Sequence, residues 1–197
     1  SAISLACDNK EDKLIKKQIK KIDNIVEQML FYARSDSVEK DYFVKKVLLE
    51  DVVHTAIMNY MDSLIQKKIS LDVYNLENYV YIDEKWITFI ICQVLQNSIK
   101  YLNKPEKVIK IHSENNKNNV VLVIEDNGEG ILDHDLPRVF EYGFTGTDRQ
   151  KQYSTGIGLY LCKKLCNKMN LDIKIESQYK KFTKVKIIFP KTNLYRQ

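Results

Sequence analysis

The sequence predicts an α+β fold, a two-layer α/β sandwich with a mixed sheet of about five to seven strands under three helices, preceded by one long separate helix. Three observations carry that reading. Short apolar or alternating runs recur between Tyr42 and Phe189, bounded by polar turns, as strands require. Amphipathic stretches long enough for helices interrupt them, and the last strands follow one another as a meander, which favours a mixed sheet with helices on one side. Ahead of all this, Ile15, Ile19, Ile22, Val26, Met29 and Ala33 recur at alternating spacings of four and three, an unbroken heptad seam.

The elements follow in order. A helix over Asp12 to Ser35 would be about 36 Å long, too narrow to bury its seam alone, so it needs a partner helix. Ser1 to Cys7, with Ile3 and Leu5 before the polar run Asp8 to Glu11, reads as the end of a preceding antiparallel helix. Strands are expected at Tyr42 to Leu48, Ile69 to Tyr74, Tyr79 to Ile82, Val108 to Ser113, Val120 to Glu125, Leu171 to Ser177 and Lys184 to Phe189. Helices are expected at Glu50 to Gln66, Asp83 to Leu102 and Gly156 to Met169, and Asn115 to Asn119 reads as a hairpin turn. Leu132 to Thr155 has charge, glycine and aromatics without periodicity, and is long enough for a functional lid.

Composition narrows the function classes. The 197 residues hold one good core plus an appendage, with an ordinary balance of 44% hydrophobic and 29% charged residues. A net charge of +5 from scattered lysines argues against nucleic-acid binding, and neither a membrane-spanning run nor a signal-peptide pattern is present. Cys7 and Cys92 stand alone, and Cys162 and Cys166 lie one helical turn apart. This is no disulfide framework, and His54, His112 and His134 are not spaced to complete a zinc site with them.

Three segments carry candidate chemistry. Asp126-Asn127-Gly128-Glu129-Gly130-Ile131 places a carboxylate in a glycine-rich turn directly after a strand. Ser154-Thr155-Gly156-Ile157-Gly158-Leu159 opens a helix, whose first N–H groups suit phosphate. On the helix from Asp83, the residues Gln93, Asn97, Lys100 and Tyr101 share one stripe at the border of the buried face. An amide, a cation and a ring projecting together can serve a metal, a phosphate and a base, although a solvated helix flank has the same spacing.

Together these segments resemble the ATP-binding catalytic domain of bacterial sensor histidine kinases, in the superfamily shared with DNA gyrase, large heat-shock chaperones and mismatch-repair ATPases. Gln93 to Tyr101 is similar to the asparagine box, Asp126 to Gly130 to the first glycine box, Phe140-Glu141-Tyr142-Gly143-Phe144 to the phenylalanine box, and Gly156 to Leu159 to the second glycine box. The resemblance runs from about Tyr42 to Pro190, and four ordered boxes are far more specific than one. It implies ATP and Mg²⁺ as ligands. Asp126 would accept from the adenine amino group, Asn97 would hold Mg²⁺ with Gln93 as a further candidate, Lys100 would meet phosphate, and Tyr101 would pack on base or sugar. Gly156 and Gly158 would offer backbone N–H groups to the polyphosphate, and Thr183 would support the adenine. Gly128, Gly130, Ile131, Phe140, Thr155 and Leu159 would complete the pocket, and Arg149 or Lys151 could reach the γ-phosphate.

Two positions depart from the family pattern. Gln93 stands where many superfamily members carry Glu or Asn, and a neutral amide cannot be a general base for water. Phe182 precedes Thr183 where Gly is common, which implies only a local backbone adjustment.

The resemblance also implies an architecture. Residues 1–38 would be the C-terminal part of a dimerisation hairpin and 39–197 the ATP-binding domain. No histidine precedes Tyr42, so the chain would begin shortly after the phosphorylated histidine, with no catalytic residue of its own at that position and no ability to autophosphorylate. The expected activity is that of an ATP-dependent protein-histidine kinase, in the cytoplasmic part of a membrane-anchored sensor. Expected partners are a response regulator and a second copy through the N-terminal helices, with a membrane only through segments outside the chain. Residues 22–34 are similar to kinases paired with peptide-antibiotic exporters. A gyrase-like or chaperone-like ATPase, a non-catalytic nucleotide-binding dimerisation module and an anti-sigma serine kinase are the alternatives. Gln93 argues against the first, and the heptad helix fits the last poorly.

Overall fold

The computed structural model describes residues 10–35, 43–147 and 155–191, and the chain divides into two compact units, Ser1–Lys40 and Asp41–Gln197. Within the first unit, helix α1 spans Lys10–Ser35. The seam side chains Ile15, Ile19, Ile22, Val26 and Met29 are all exposed, between 41% and 59%. The expected preceding helix end, Ser1 to Cys7, lies outside the described residues.

The second unit contains β1 (Lys45–Leu48), α2 (Leu49–Gln66), β2 (Ile69–Tyr74), β3 (Tyr79–Ile82), α3 (Glu84–Tyr101), β4 (Lys107–Asn115), β5 (Asn119–Asp126), α4 (Gly158–Lys168), β6 (Asp172–Gln178) and β7 (Phe182–Pro190). The strands form a five-stranded sheet in the order β2-β4-β5-β7-β6 and a separate two-stranded sheet of β1 and β3. Only the β2–β4 pair is parallel, so the large sheet is mixed. The large sheet thus holds five of the seven expected strands, within the expected range of about five to seven, and the other two pair separately. The strand expected from Tyr42 is shortened to Lys45, because the Phe43 N–H donates to the Asp83 carboxylate rather than to a neighbouring strand.

The same carboxylate starts α3. Asp83 accepts from the N–H groups of Lys85 and Trp86, satisfying donors that the helix leaves unpaired. Helix α4 begins at Gly158, not at Gly156, whose φ of +67° is incompatible with a right-handed helix. The β4–β5 hairpin closes where expected: Asn116 Oδ1 accepts from the N–H groups of Asn118 and Asn119.

The core lies between the large sheet and the helices. Leu49, Val52 and Val53 of α2, Trp86, Ile87, Ile90, Ile91 and Leu95 of α3, and Leu161 and Leu165 of α4 are buried with Ile109, Ile111, Leu122, Ile124 and Ile187 of the sheet. On the opposite sheet face, register aligns Asp72, Lys110, Glu125, Lys184 and Glu176 in one row across β2, β4, β5, β7 and β6. Charge alternates along this row, and Lys184 sits 2.8 Å from Glu125. Cross-strand opposite charges stabilise a solvated face and leave no broad apolar surface there.

Candidate nucleotide site

Asp126 ends β5, with Ile109 of β4 and Thr183 of β7 as its register partners. Only 4% of the residue is exposed. Its Oδ2 accepts from Ser98 Oγ of α3 at 2.7 Å, and its Oδ1 accepts from the Gly128 N–H at 3.0 Å. A carboxylate has about four acceptor positions, so these two bonds leave capacity for a ligand's donor. Burial pushes the Asp126 pKa up from 3.8 to about 6, opposed by the bonds from Ser98 and Gly128; Glu125 adds to the rise and Lys104 counters it.

The turn after Asp126 is locked on three sides. The Asn127 side chain accepts from the Val108 N–H and donates to the Glu106 carbonyl, so it fastens the turn to the start of β4. The Glu129 N–H donates to the Tyr101 carbonyl at the end of α3. The Ile131 N–H donates to Ser177 Oγ, which in turn donates to the Phe182 carbonyl of the β6–β7 hairpin. Glycine is required twice. A Cβ on Gly128 would lie 2.6 Å from Asp126 Oδ1 and 2.8 Å from the Tyr101 carbonyl oxygen, and one on Gly130, at φ +71°, would lie 2.2 Å from the Gln178 carbonyl oxygen.

The structure thus brings together Asp126, Gly128, Gly130, Ile131, Thr183 and the C-terminal half of α3. In that half, Gln93 is buried and Asn97, Lys100 and Tyr101 are half-buried. Lys100 Nζ lies 5.1 Å from the Tyr101 ring centre. Phe182, at the position where the family pattern commonly has glycine, starts β7 opposite Gln178 with the ladder intact.

The second glycine segment meets the phenylalanine-box turn. The Gly143 N–H donates to the Gly156 carbonyl, and a Cβ on Gly156 would lie 2.3 Å from the Gly143 carbonyl carbon. Ile157 starts α4 without a side-chain cap, and no acidic residue occupies the first turn, so the positive end of the helix is not neutralised locally. Gly158 and Leu159 form that first turn, while Thr155 is exposed and its Oγ1 accepts from the Ile157 N–H. Phe140 is half-buried beside α4, 5.8 Å from Lys163 Nζ, which also pairs with Asp172 at 2.8 Å. Cys162 and Cys166 are buried in α4, and burial raises both thiols well above their ordinary range. They are core residues.

Two contributors have no role in the motif resemblance: Ser98 sits inside the asparagine-box segment without an assigned task, and Asp135 lies outside all four boxes. Ser98 lies on the apolar face of α3, seven residues after Ile91 and three after Leu95, and a lone hydroxyl at such a position needs a buried partner. Asp135 is also buried, and its Oδ2 accepts from the N–H and the Oγ1 of Thr147, closing the loop that holds the phenylalanine box. Beyond that tie, a cavity of about 400 Å³ is lined by Arg138, Glu141, Tyr142, Phe144, Thr145 and Thr147 among others, none of them an expected nucleotide contact. Arg149 and Lys151 lie outside the described residues.

Among the described residues, no three histidine, cysteine, aspartate or glutamate side chains gather as a metal cage. Mg²⁺ does not need one, because it takes few protein oxygens and fills its shell with water and phosphate. No helix of the described residues is long and apolar enough to cross a membrane.

Comparison with known proteins agrees with this geometry. The profile of the histidine kinase-, DNA gyrase B- and HSP90-like ATPase family matches residues 82–193, the segment from the end of β3 past the end of β7. The sensor protein BceS of Halalkalibacterium halodurans is 36% identical over 98% of this chain and 59% of its own length. The sensor protein kinase GraS of Staphylococcus aureus is 33% identical over 98% of the chain and 57% of its own length. The chain therefore spans under three fifths of the relatives it matches. The catalytic domain of the histidine kinase ThkA superposes with a TM-score of 0.65 at 20% identity, covering 76% of this chain and 99% of that one, a likeness of fold. A family profile matching more than half of the residues, over the segment that builds the Asp126 corner and the start of α4, settles the affiliation: the chain belongs to the family of histidine kinase-, DNA gyrase B- and HSP90-like ATPases.

Proposed function

We propose that this chain is the ATP-binding catalytic region of a two-component sensor kinase, in which the γ-phosphoryl of Mg-ATP passes to a histidine and then to an aspartate of a response regulator. The observation that carries the reading is the buried Asp126 carboxylate, held by one donor on each oxygen beside Thr183 and the polar stripe of α3. A fixed, ionised acceptor there takes the adenine amino group and disfavours guanine, whose matching edge presents an oxygen. The uncapped start of α4, with Gly156 and Gly158, meets the phosphates, and Lys100 adds charge.

Asn97 is the Mg²⁺ ligand in this reading, with Gln93 one turn earlier as a second amide, and the ion would neutralise charge on the β- and γ-phosphates. The protein supplies orientation and charge compensation rather than a base. Gln93 cannot activate water, which suits a kinase that retains its ATP for transfer. The heptad seam of α1 suits association with a second copy, and the sensor-kinase part of this reading draws support from sensor proteins that are longer than this chain.

The metal assignment is tested with Asn97→Ala. A fluorescent ATP analogue should bind the variant without Mg²⁺ within about twofold of wild type, while the gain that Mg²⁺ gives wild type should disappear. An undiminished Mg²⁺ response in the variant would contradict the assignment.

A further inference from the structure

We propose that Ser98 is a positioning residue that sets nucleotide specificity, by holding the Asp126 carboxylate as a fixed acceptor. The inference rests on the adenine reading of Asp126. Ser98 and Asp126 are each 4% exposed, and the Ser98 Oγ to Asp126 Oδ2 distance is 2.7 Å. The second oxygen is held from a different direction by the Gly128 N–H. Two donors, one from a helix and one from a turn, fix the plane of the carboxylate, and neither can be replaced by bulk water at this depth.

The hydroxyl has a single proton. Donating it to Oδ2 favours the charged form of Asp126 against the burial that opposes it. Few other groups share that task. Glu125, next on β5, opposes ionisation, although Lys184 pairs with it; Lys104, in the segment after α3, favours ionisation. The register neighbours Ile109 and Thr183 carry no charge.

Ionisation decides specificity. A carboxylate only accepts, so it suits the adenine amino group and repels a guanine oxygen. A protonated carboxyl also donates, and can satisfy that oxygen. Ser98 therefore widens the pH range over which the site tells adenine from guanine, a role that neither simple packing nor helix propensity gives to a serine on an apolar face.

The test uses the whole chain with Mg-ATP and Mg-GTP, titrated calorimetrically from about pH 5 to pH 8, on wild type, Ser98→Ala and Ser98→Thr. Alanine is the strongest helix former, so the first variant folds without the hydroxyl. At neutral pH it should bind ATP about tenfold more weakly, with its loss of ATP binding and of adenine preference on acidification displaced about one pH unit upward. Threonine restores the hydroxyl and should return the pH profile to that of wild type. An alanine variant with wild-type affinity and profile overturns the role of Ser98 while leaving the adenine reading intact, and so does weakened binding with an unmoved profile, the mark of packing alone. Absence of ATP binding by wild type at every pH overturns the adenine reading and this inference with it.

Discussion

Asp126 is under two opposed demands. The proposed adenine recognition requires a buried, ionised acceptor, while folding disfavours an ionised carboxylate that is only 4% exposed. Its folded pKa of about 6 exceeds the ordinary 3.8. A raised carboxylate pKa means stability that is fully present below 3.8 and lost as pH rises through about 6, so at neutral pH this one charge costs about 3 kcal/mol. Asn at this position keeps both contacts, accepting from the Gly128 N–H and donating to Ser98 Oγ. Asp126→Asn should therefore abolish ATP binding yet raise the unfolding free energy at pH 7.5 by up to about 3 kcal/mol, with the gain shrinking toward pH 4. Urea unfolding at both pH values checks this, and a variant less stable than wild type at pH 7.5 would refute it. At this scale the sequence made Asp126 legible, because a carboxylate followed by two glycines after a strand is a local pattern. Ser98 was not, since its partner lies 28 residues away and only the packing of α3 against β5 brings them together.

The elements explain why the four short motifs meet in pairs. α3 and β5 meet through Ser98 and Asp126, the glycine turn closes on Tyr101 at the end of α3, and the Gly143–Gly156 contact seats the phenylalanine-box turn at the start of α4. Gly156 is the most demanding position in that last contact. With φ at +67° and a Cβ placed 2.3 Å from the Gly143 carbonyl carbon, alanine must displace backbone rather than a side chain. Gly156→Ala should cost about 2 kcal/mol in thermal or urea unfolding and weaken ATP-analogue binding, whereas an unchanged melting curve would show that this contact does not hold the turn. Element type and position follow the hydrophobic period closely, and Ile69–Tyr74 and Tyr79–Ile82 agree with expectation at both ends. Sheet membership does not follow from that period. The parallel β2–β4 pairing and the separation of β1 and β3 depend on contacts distant in sequence, such as the Leu49 N–H donating to the Asn78 carbonyl.

At the scale of the whole molecule, a family ATP-binding unit follows a helix whose apolar seam is exposed in the single chain. Neither the sequence nor the fold assigns phosphate-accepting chemistry to the three histidines. His54 is an exposed residue of α2, His112 stacks on Tyr74 with ring centres 4.8 Å apart, and His134 Nε2 lies 3.1 Å from Thr147 Oγ1 in the loop closed by Asp135. The chain incubated with γ-labelled ATP should accordingly remain unlabelled, and acid-labile label retained on it would show that one of the three is an acceptor. The central claim is that the Asp126 corner is an adenine-reading site in a working nucleotide pocket. Calorimetric titration of the chain with Mg-ATP and Mg-GTP at pH 7.5 tests it most directly. Saturable ATP binding at one site per chain, with GTP at least about tenfold weaker, is the predicted result. Equal affinity for the two nucleotides, or no ATP binding, would contradict it.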